Sequence, residues 1–196
     1  MTVLQLLMLG ASGYFAFKIF EHIQTLQDPP QNANTNQDEP KTAQTFSPFD
    51  PEALVIKADE AYEEKDFQKA LALLSEADAK QPNNPEILFK LGYILHQLGD
   101  NVEAMSYYKK ALEIDKNDEM IHNSMASIYR ANGEFVSAKM HLNDSLSLND
   151  ENPATYYNYG NLLVDMEHFD EAKNMYEKAL KIDPDFNEAK DELGKL

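Results

Sequence analysis

The sequence contains no cysteine. Disulfide bonds, zinc sites built from thiolates and catalysis by a cysteine nucleophile are therefore excluded together. The compartment stays open, because proteins without cysteine are compatible with both reducing and oxidising surroundings.

Positive charge is scarce. Only 17 Lys and Arg stand against 34 Asp and Glu among 196 residues, which gives a formal net charge of −17. Binding to phosphate groups requires clustered Lys and Arg that release counterions, so nucleic acid is not an expected partner. Adsorption to an anionic lipid surface is disfavoured for the same reason. The simplest interpretation of the charge is an acidic, solvated exterior.

Motifs that carry chemistry are also missing. The sequence has no glycine-rich phosphate loop and no nucleophile elbow. Its histidines are scattered, without a pair at metal-ligand spacing on one predicted helix face; they are His22, His96, His122, His141 and His168. We therefore expect no enzymatic activity, no metal, no cofactor and no small-molecule substrate.

An apolar segment occupies residues 1–23. Within residues 3–20 the only clearly polar side chains are Gln5, Ser12 and Lys18. A helix of this length would measure about 30 Å at about 1.5 Å per residue, which matches a bilayer core. The segment predicts a single transmembrane anchor. A secretory signal peptide is the alternative, but it would carry Lys or Arg ahead of the apolar run.

Two further expectations concern this anchor. Lys18 follows the apolar centre and no Lys or Arg precedes it, so the positive-inside rule favours the cytoplasm for the rest of the chain, with the periplasm as the alternative. The small residues at 10–13 would let two anchor helices approach closely and permit a weak homodimer.

A linker is predicted at residues 24–50. Its part at 28–50 is rich in Pro, Asn, Gln, Thr and Asp and poor in aliphatic residues, so it has too little apolar surface to fold. We expect it to act as a flexible tether that spans on the order of 25–30 Å.

The rest of the chain repeats at a constant interval. We call this interval the repeat period, and it equals the separation between Ala70 and Ala104. Small residues recur at this step in three columns, which are Ala70, Ala104, Ala138 and Ala172, then Ala58, Gly92, Ala126 and Gly160, then Ala77, Ala111, Ser145 and Ala179. A period in this range is typical of stacked supersecondary units.

Within each unit, apolar residues recur at steps of three and four, as at Leu88, Leu91 and Leu95. This pattern predicts two amphipathic helices in each unit. Asn–Pro pairs at 84–85 and 152–153 supply a capping side chain and a proline for the first helical position. The predicted helices are 52–64, 67–80, 85–98, 101–114, 119–132, 135–148, 153–166, 169–182 and a ninth near 187–195.

This pattern resembles the tetratricopeptide repeat family. The small-residue columns, the Leu91–Gly92 and Tyr159–Gly160 pairs and the tail at 176–184 carry the resemblance, which covers residues 51–196. It implies an all-α, right-handed α-α superhelix. The implied boundaries are repeats at 51–84, 85–118, 119–152 and 153–186 and a capping helix at 187–196.

The resemblance also implies a function. The first helix of each repeat would line a concave face that binds a protein or peptide, formed by Phe89, Lys90, Tyr93, His96, Asn123, Ser127, Arg130, Tyr157, Asn158 and Asn161. Amide side chains can donate and accept along an extended backbone, aromatic rings offer apolar area, and Lys90 and Arg130 could meet a carboxylate. The predicted protein is a membrane-anchored adaptor. The alternative is a structural subunit of a membrane-associated assembly that uses convex or edge surfaces.

Some members of this family hold a C-terminal carboxylate with a clamp of Lys, Asn and Arg side chains. The corresponding positions here are occupied by Val55, Asp59, Lys90, Met120 and Ser124. The clamp is absent, so a receptor for chaperone tails of that type is not expected.

Overall fold

The computed structural model describes residues 48–196. The anchor predicted at 1–23, its homodimer contact and most of the linker predicted at 24–50 lie outside the described residues. None of the helices at residues 48–196 combines the length and the hydropathy that a bilayer span requires.

Regular structure in the described part is entirely helical. Its helices are α1 (Pro51–Glu63), α2 (Phe67–Lys80), α3 (Pro85–Gln97), α4 (Asn101–Ile114), α5 (Glu119–Ala131), α6 (Phe135–Leu148), α7 (Pro153–Asp165), α8 (Phe169–Ile182) and α9 (Asn187–Leu193). We call α1 and α2 pair 1, α3 and α4 pair 2, α5 and α6 pair 3, and α7 and α8 pair 4. The predicted bounds of α1 to α8 agree within one residue at each end, and α9 ends two residues earlier than predicted.

Side-chain caps determine where the first helix of a pair begins. The Asp50 carboxylate accepts a hydrogen bond from the Ala53 N–H at 2.7 Å. The Asn84 side chain accepts from the N–H groups of Glu86 and Ile87 at 3.0 and 3.3 Å. Each cap is followed by a proline, whose missing N–H costs nothing at the first helical position. The helix starts are therefore encoded locally, and with them the register of the side chains on each helix.

The turn inside each pair passes through the left-handed region of backbone conformation. Gly99 and Gly133 adopt φ of 85° and 76° in pairs 2 and 3. The equivalent residues of pairs 1 and 4 are Lys65 and Glu167, which adopt φ of 61° and 62°. Side chains are disfavoured there by contact between Cβ and the following carbonyl group. The same turn is thus built with less strain in the two inner pairs.

Complementary small and large residues join the two helices of each pair. A Cβ atom added at Gly92 would lie 2.6 Å from Cε1 of Tyr108, and one added at Gly160 would lie 2.4 Å from Cε1 of Tyr176. Both tyrosine rings are fully buried. The equivalent buried positions of pairs 1 and 3 hold Ala58 with Leu74 and Ala126 with Leu142.

The short helix α9 covers the C-terminal end of the array. Ala189 is fully buried, and Phe186 and Leu193 pack against the apolar cluster that pairs 3 and 4 form together. The ring of Phe186 lies 5.2 Å from that of Tyr157 on α7. A helix is therefore present where the cap is predicted, with its apolar residues directed onto the last pair.

Candidate peptide-binding groove

The first helices of pairs 1 to 4 line two adjoining pockets, which together we call the groove. The first pocket lies mainly between α1 and α3, and the second lies among α3, α5 and the start of α7. Each has a volume of about 340 Å³. They share Phe89, Tyr93 and Met120, so the two pockets are continuous.

The first pocket is largely apolar, and we call it the apolar pocket. Its walls are the rings of Tyr62, Phe89 and Tyr93 with Met120 at the boundary. The hydroxyl groups of Tyr62 and Tyr93 are hydrogen-bonded at 3.3 Å, and their ring centroids are 5.7 Å apart. The hydrogen bond with Tyr93, together with burial, raises the pKa of Tyr62 to about 12. Tyr62 therefore stays neutral at physiological pH and offers the pocket a ring face and no charge.

The second pocket is polar, and we call it the polar pocket. It is lined by His96, Gln97, Asn123, Ser124, Ser127, Asn152 and Asn158 in addition to the shared residues. Asn158 Nδ2 donates to Asn123 Oδ1 at 3.0 Å, and His96 Nδ1 donates to Asn101 Oδ1 at 2.7 Å. These bonds orient the polar side chains of three successive first helices.

The two cations expected to meet a carboxylate are each paired within the chain. Lys90 Nζ lies 2.7 and 2.9 Å from the two carboxylate oxygens of Asp59. Arg130 Nη1 lies 2.7 Å from Asp165 Oδ2. Both pairs join first helices of neighbouring pairs. Their charge is therefore compensated before any ligand arrives.

Seven of the ten predicted site residues line the groove, and three do not. Arg130 forms the ion pair with Asp165 beyond the polar pocket. Asn161 Oδ1 accepts a hydrogen bond from the Tyr176 hydroxyl at 2.8 Å, which ties it to the packing of pair 4. Tyr157 packs on Phe186 and on Tyr176, with centroids 5.2 and 6.0 Å apart. These three side chains are engaged with their own neighbours.

The groove residues missing from the predicted set include Tyr62 and Met120. Tyr62 stands one repeat period before His96, which was included, so the period alone could have pointed to it. Met120 stands one repeat period after Glu86 and was considered only as a clamp position. Both side chains contribute apolar surface to the groove, although the equivalent positions one repeat period away hold the polar or charged residues His96 and Glu86.

Two histidines that looked scattered in the sequence lie side by side. His122 on α5 and His141 on α6 place their Nδ1 atoms 3.0 Å apart, and Asp144 Oδ2 lies 3.7 Å from His122 Nδ1. Burial, and then the neighbouring His122, lower the pKa of His141. The two histidines belong to different helices, so a search along one helix face does not detect them.

Comparison with known families agrees with this architecture. Two family models, both described as tetratricopeptide repeat, match residues 61–128 and 153–186, which together are more than half of the 196 residues. Tetratricopeptide repeat protein 6 of Homo sapiens is 29% identical over 119 residues. The match covers 61% of this chain and 23% of that protein, so the chain spans less than a quarter of this relative.

Solved structures show the same helical array. The crystal structure of MamA superposes with a TM-score of 0.58 at 27% identity, covering 70% of this chain and 81% of that one. The first tetratricopeptide repeat domain of Spaghetti (RPAP3), bound to the HSP90 peptide SRMEEVD, superposes with a TM-score of 0.53 at 27% identity. It covers 57% of this chain and 88% of that chain. The chain belongs to the tetratricopeptide repeat family and is an all-α protein-interaction module of that family.

Proposed function

We propose that the chain binds an extended segment of a partner protein in the groove. The continuity of the apolar pocket with the polar pocket, through Phe89, Tyr93 and Met120, carries this proposal. An extended peptide requires both a place for a side chain and partners for its main chain, and the two pockets supply them in adjacent positions. The peptide-bound domain of Spaghetti (RPAP3), a structural neighbour, gives the proposal further support.

The apolar pocket is suited to one large apolar side chain of the ligand. Its volume of about 340 Å³ is at the lower end of the range of about 300–1,000 Å³ typical of small ligand sites. Rings such as Tyr62, Phe89 and Tyr93 bury much area at little cost in side-chain entropy. We expect an aromatic or long aliphatic residue of the partner to be the anchor.

The polar pocket is suited to the main chain of the ligand. Asn123, Asn158 and Gln97 each carry groups that can both donate and accept, which matches the alternating N–H and C=O groups of an extended peptide. Such contacts do not depend on the peptide's side chains. Specificity would therefore come mainly from the anchor residue in the apolar pocket.

The charges of the groove favour a partner without a terminal carboxylate. Lys90 is neutralised by Asp59 and Arg130 by Asp165, and the carboxylate clamp of some family members is absent. A ligand that brought a carboxylate would have to displace an existing ion pair. We therefore propose a neutral or basic internal segment rather than an acidic chain end.

The apolar segment at 1–23 would hold this module at a membrane through the tether at 24–50. The proposed repeats are those at 51–84, 85–118, 119–152 and 153–186, with a cap at 187–196. In this arrangement the protein recruits its partner to the membrane surface and catalyses no reaction itself. Retention of the full chain in a membrane fraction washed with alkaline carbonate, and its release after deletion of residues 1–23, would test the anchor.

A structural role without a groove ligand is the second candidate. Val102 on α4 and Val136 on α6 occupy equivalent positions and are 86% and 87% exposed. Two exposed apolar side chains at equivalent positions of neighbouring second helices would suit contact with another subunit on that side of the array.

The two candidates can be separated by one cross-linked pull-down from native membranes. A groove variant, Phe89→Ala/Tyr93→Ala, is compared with a surface variant, Val102→Ser/Val136→Ser, after circular dichroism has verified that both keep the helix content of the wild type. Loss of the partner with the groove variant alone supports peptide binding, and loss with the surface variant alone supports the structural role.

The captured segment can then be measured directly. Because the chain has no tryptophan, the binding of a labelled synthetic peptide is followed by its fluorescence anisotropy. The groove variant Phe89→Ala/Tyr93→Ala lacks two rings that line both pockets. It should bind the peptide at least tenfold more weakly, because aromatic anchors contribute about 2 kcal/mol or more each at interfaces. Equal affinity for wild type and groove variant would refute the proposed site.

A further inference from the structure

A second cluster of chemically versatile side chains lies in pair 3, where the two helices of the pair face each other. His122 belongs to α5, and His141 and Asp144 belong to α6 one helical turn apart. One ligand atom from each of these three residues lies within 4.8 Å of the others. None of the three lines the groove.

The other three pairs show that the fold does not require histidine here. At steps of one repeat period, the position of His122 is occupied by Leu54, Leu88 and Tyr156, and that of His141 by Leu73, Tyr107 and Met175. Apolar packing thus suffices at this place in three of four pairs. At the position of Asp144, pairs 2 and 4 have Lys110 and Lys178 and pair 1 has Glu76, so an acidic residue beside two imidazoles occurs in pair 3 alone.

Two imidazole nitrogens and one carboxylate oxygen form a donor set that suits a divalent transition metal. Two nitrogens that lie about 2.0–2.1 Å from a tetrahedral zinc ion are about 3.3 Å apart. The Nδ1 atoms of His122 and His141 are 3.0 Å apart, and Asp144 Oδ2 is 3.7 Å from His122 Nδ1. The two nitrogens therefore need to separate by only a few tenths of an ångström to hold one ion, and the Asp144 oxygen lies within 4.8 Å of both imidazoles.

We propose that His122, His141 and Asp144 bind a divalent transition metal ion such as Zn²⁺. Both histidines coordinate through Nδ1, so their protons reside on Nε2 and the hydrogen bond between the two rings is exchanged for metal bonds. Three protein ligands leave at least one coordination position, which water can fill.

The surroundings hold the ligands while leaving the ion accessible. His141 is 8% exposed and its ring stacks on that of Tyr129, with centroids 5.3 Å apart and an interplanar angle of 15°. The side chain of His122 is 14% exposed and that of Asp144 is 49% exposed. The positive charge of Lys109, from the neighbouring pair, acts on His141, and the Asp144 carboxylate opposes it. An ion can thus enter from the solvent on the Asp144 side and meet two oriented imidazoles.

Metal binding would tie α5 to α6 at a point adjacent to the groove. Asn123, the next residue after His122, lines the polar pocket from the same helix. The ion would therefore stabilise the helix that contributes the middle part of the groove, without touching a ligand bound there. The proposal does not depend on the groove being the binding site.

Isothermal titration of the full chain with Zn²⁺ tests the site, with the protein purified in detergent and without a polyhistidine tag. We expect one ion per chain. The thermal unfolding midpoint should rise by at least about 5 °C when free Zn²⁺ exceeds the dissociation constant by 100-fold, because the metal binds the folded state. Absence of binding below about 100 µM Zn²⁺ would overturn the proposal.

Variants assign the binding to these residues. His122→Leu/His141→Tyr copies the residues of pair 2, so it restores an apolar contact that the fold already uses, and should weaken Zn²⁺ binding by at least tenfold. Asp144→Asn, at a half-exposed position, keeps the fold and should also weaken binding by about tenfold. His168→Gln is the matched control, because His168 also lies beside a carboxylate, 3.2 Å from Glu171. Zn²⁺ affinity that is unchanged in the double variant or in Asp144→Asn, or lost in the control, would refute this assignment.

Discussion

Pairs 1 and 3 fill the space between their two helices differently from pairs 2 and 4. The first group combines an alanine with a leucine, at Ala58 with Leu74 and at Ala126 with Leu142. The second combines a glycine with a tyrosine, at Gly92 with Tyr108 and at Gly160 with Tyr176. Since all these side chains are buried, each pair keeps a similar packed volume and distributes it differently between the helices. Packing in this array is thus specified by combinations of residues, and no single position decides it.

The largest expected effect comes from breaking one glycine–tyrosine combination. Gly92→Ala would place a methyl group 2.6 and 2.7 Å from two ring atoms of Tyr108 and 3.1 Å from the Ala104 carbonyl oxygen. We expect the free energy of unfolding, measured by urea denaturation, to fall by about 2–3 kcal/mol, since overpacking outweighs the better helix propensity of alanine.

The double variant Gly92→Ala/Tyr108→Leu tests whether the combination is the cause. It recreates in pair 2 the residues that pairs 1 and 3 use, and we expect it to recover at least half of the lost stability. If the double variant is less stable than Gly92→Ala alone, the two combinations are not interchangeable and our interpretation of the comparison is wrong.

A smaller effect should separate the two tyrosines themselves. The Tyr176 hydroxyl donates to Asn161 Oδ1 at 2.8 Å, whereas the buried Tyr108 hydroxyl makes no hydrogen bond of standard geometry among residues 48–196. Tyr176→Phe should lower the free energy of unfolding by about 1 kcal/mol, and Tyr108→Phe should change it by less than about 0.5 kcal/mol. Each variant serves as the control for the other in the same denaturation series. Equal losses would mean that the Tyr108 hydroxyl is as well satisfied as that of Tyr176, through its neighbour Ser124.

The smallest expected effect on stability comes from the turn inside each pair. This turn contains glycine at positive φ in the inner pairs 2 and 3 and a residue with a side chain in the outer pairs 1 and 4. Glu167→Gly would place in pair 4 the residue type that pairs 2 and 3 use at positive φ. Relief of the left-handed strain, offset by the larger chain entropy of glycine in the unfolded state, should stabilise the protein by about 0.5 kcal/mol. The thermal unfolding midpoint provides the measurement, and Gly133→Ala, which should destabilise by about 1 kcal/mol, is the reverse control. A lower midpoint for Glu167→Gly would show that the Glu167 side chain contributes more than its strain costs.

The bounds of the helices could be predicted because their signals are local. An asparagine or aspartate cap followed by proline acts within four residues, as at Asp50 and Asn84, so no tertiary information is needed. The columns of small residues were also visible, since the repeat period places equivalent positions in register. What the period cannot supply is the contact made between particular side chains of different helices.

The candidate site was predictable in part. The family resemblance implied which helices line the groove, but Lys90 and Arg130 were expected to meet a ligand. Their partners, Asp59 and Asp165, are 31 and 35 residues away and are recognisable only once the helices are packed. Tyr157 was expected to be available, but the path of the chain after α8 brings Phe186 onto its ring. The contact between His122 and His141 likewise depends on how two helices face each other.

The helix α9 has a consequence for how an array of this kind can be lengthened. Phe186 and Ala189 pack on the apolar surface of pairs 3 and 4, so the last of the four pairs is covered by the helix that follows it. A duplicated pair inserted between α8 and α9 would receive the same covering from α9. Growth by duplication at that point, in a genome or in a designed protein, would therefore keep the apolar surface of the last pair covered.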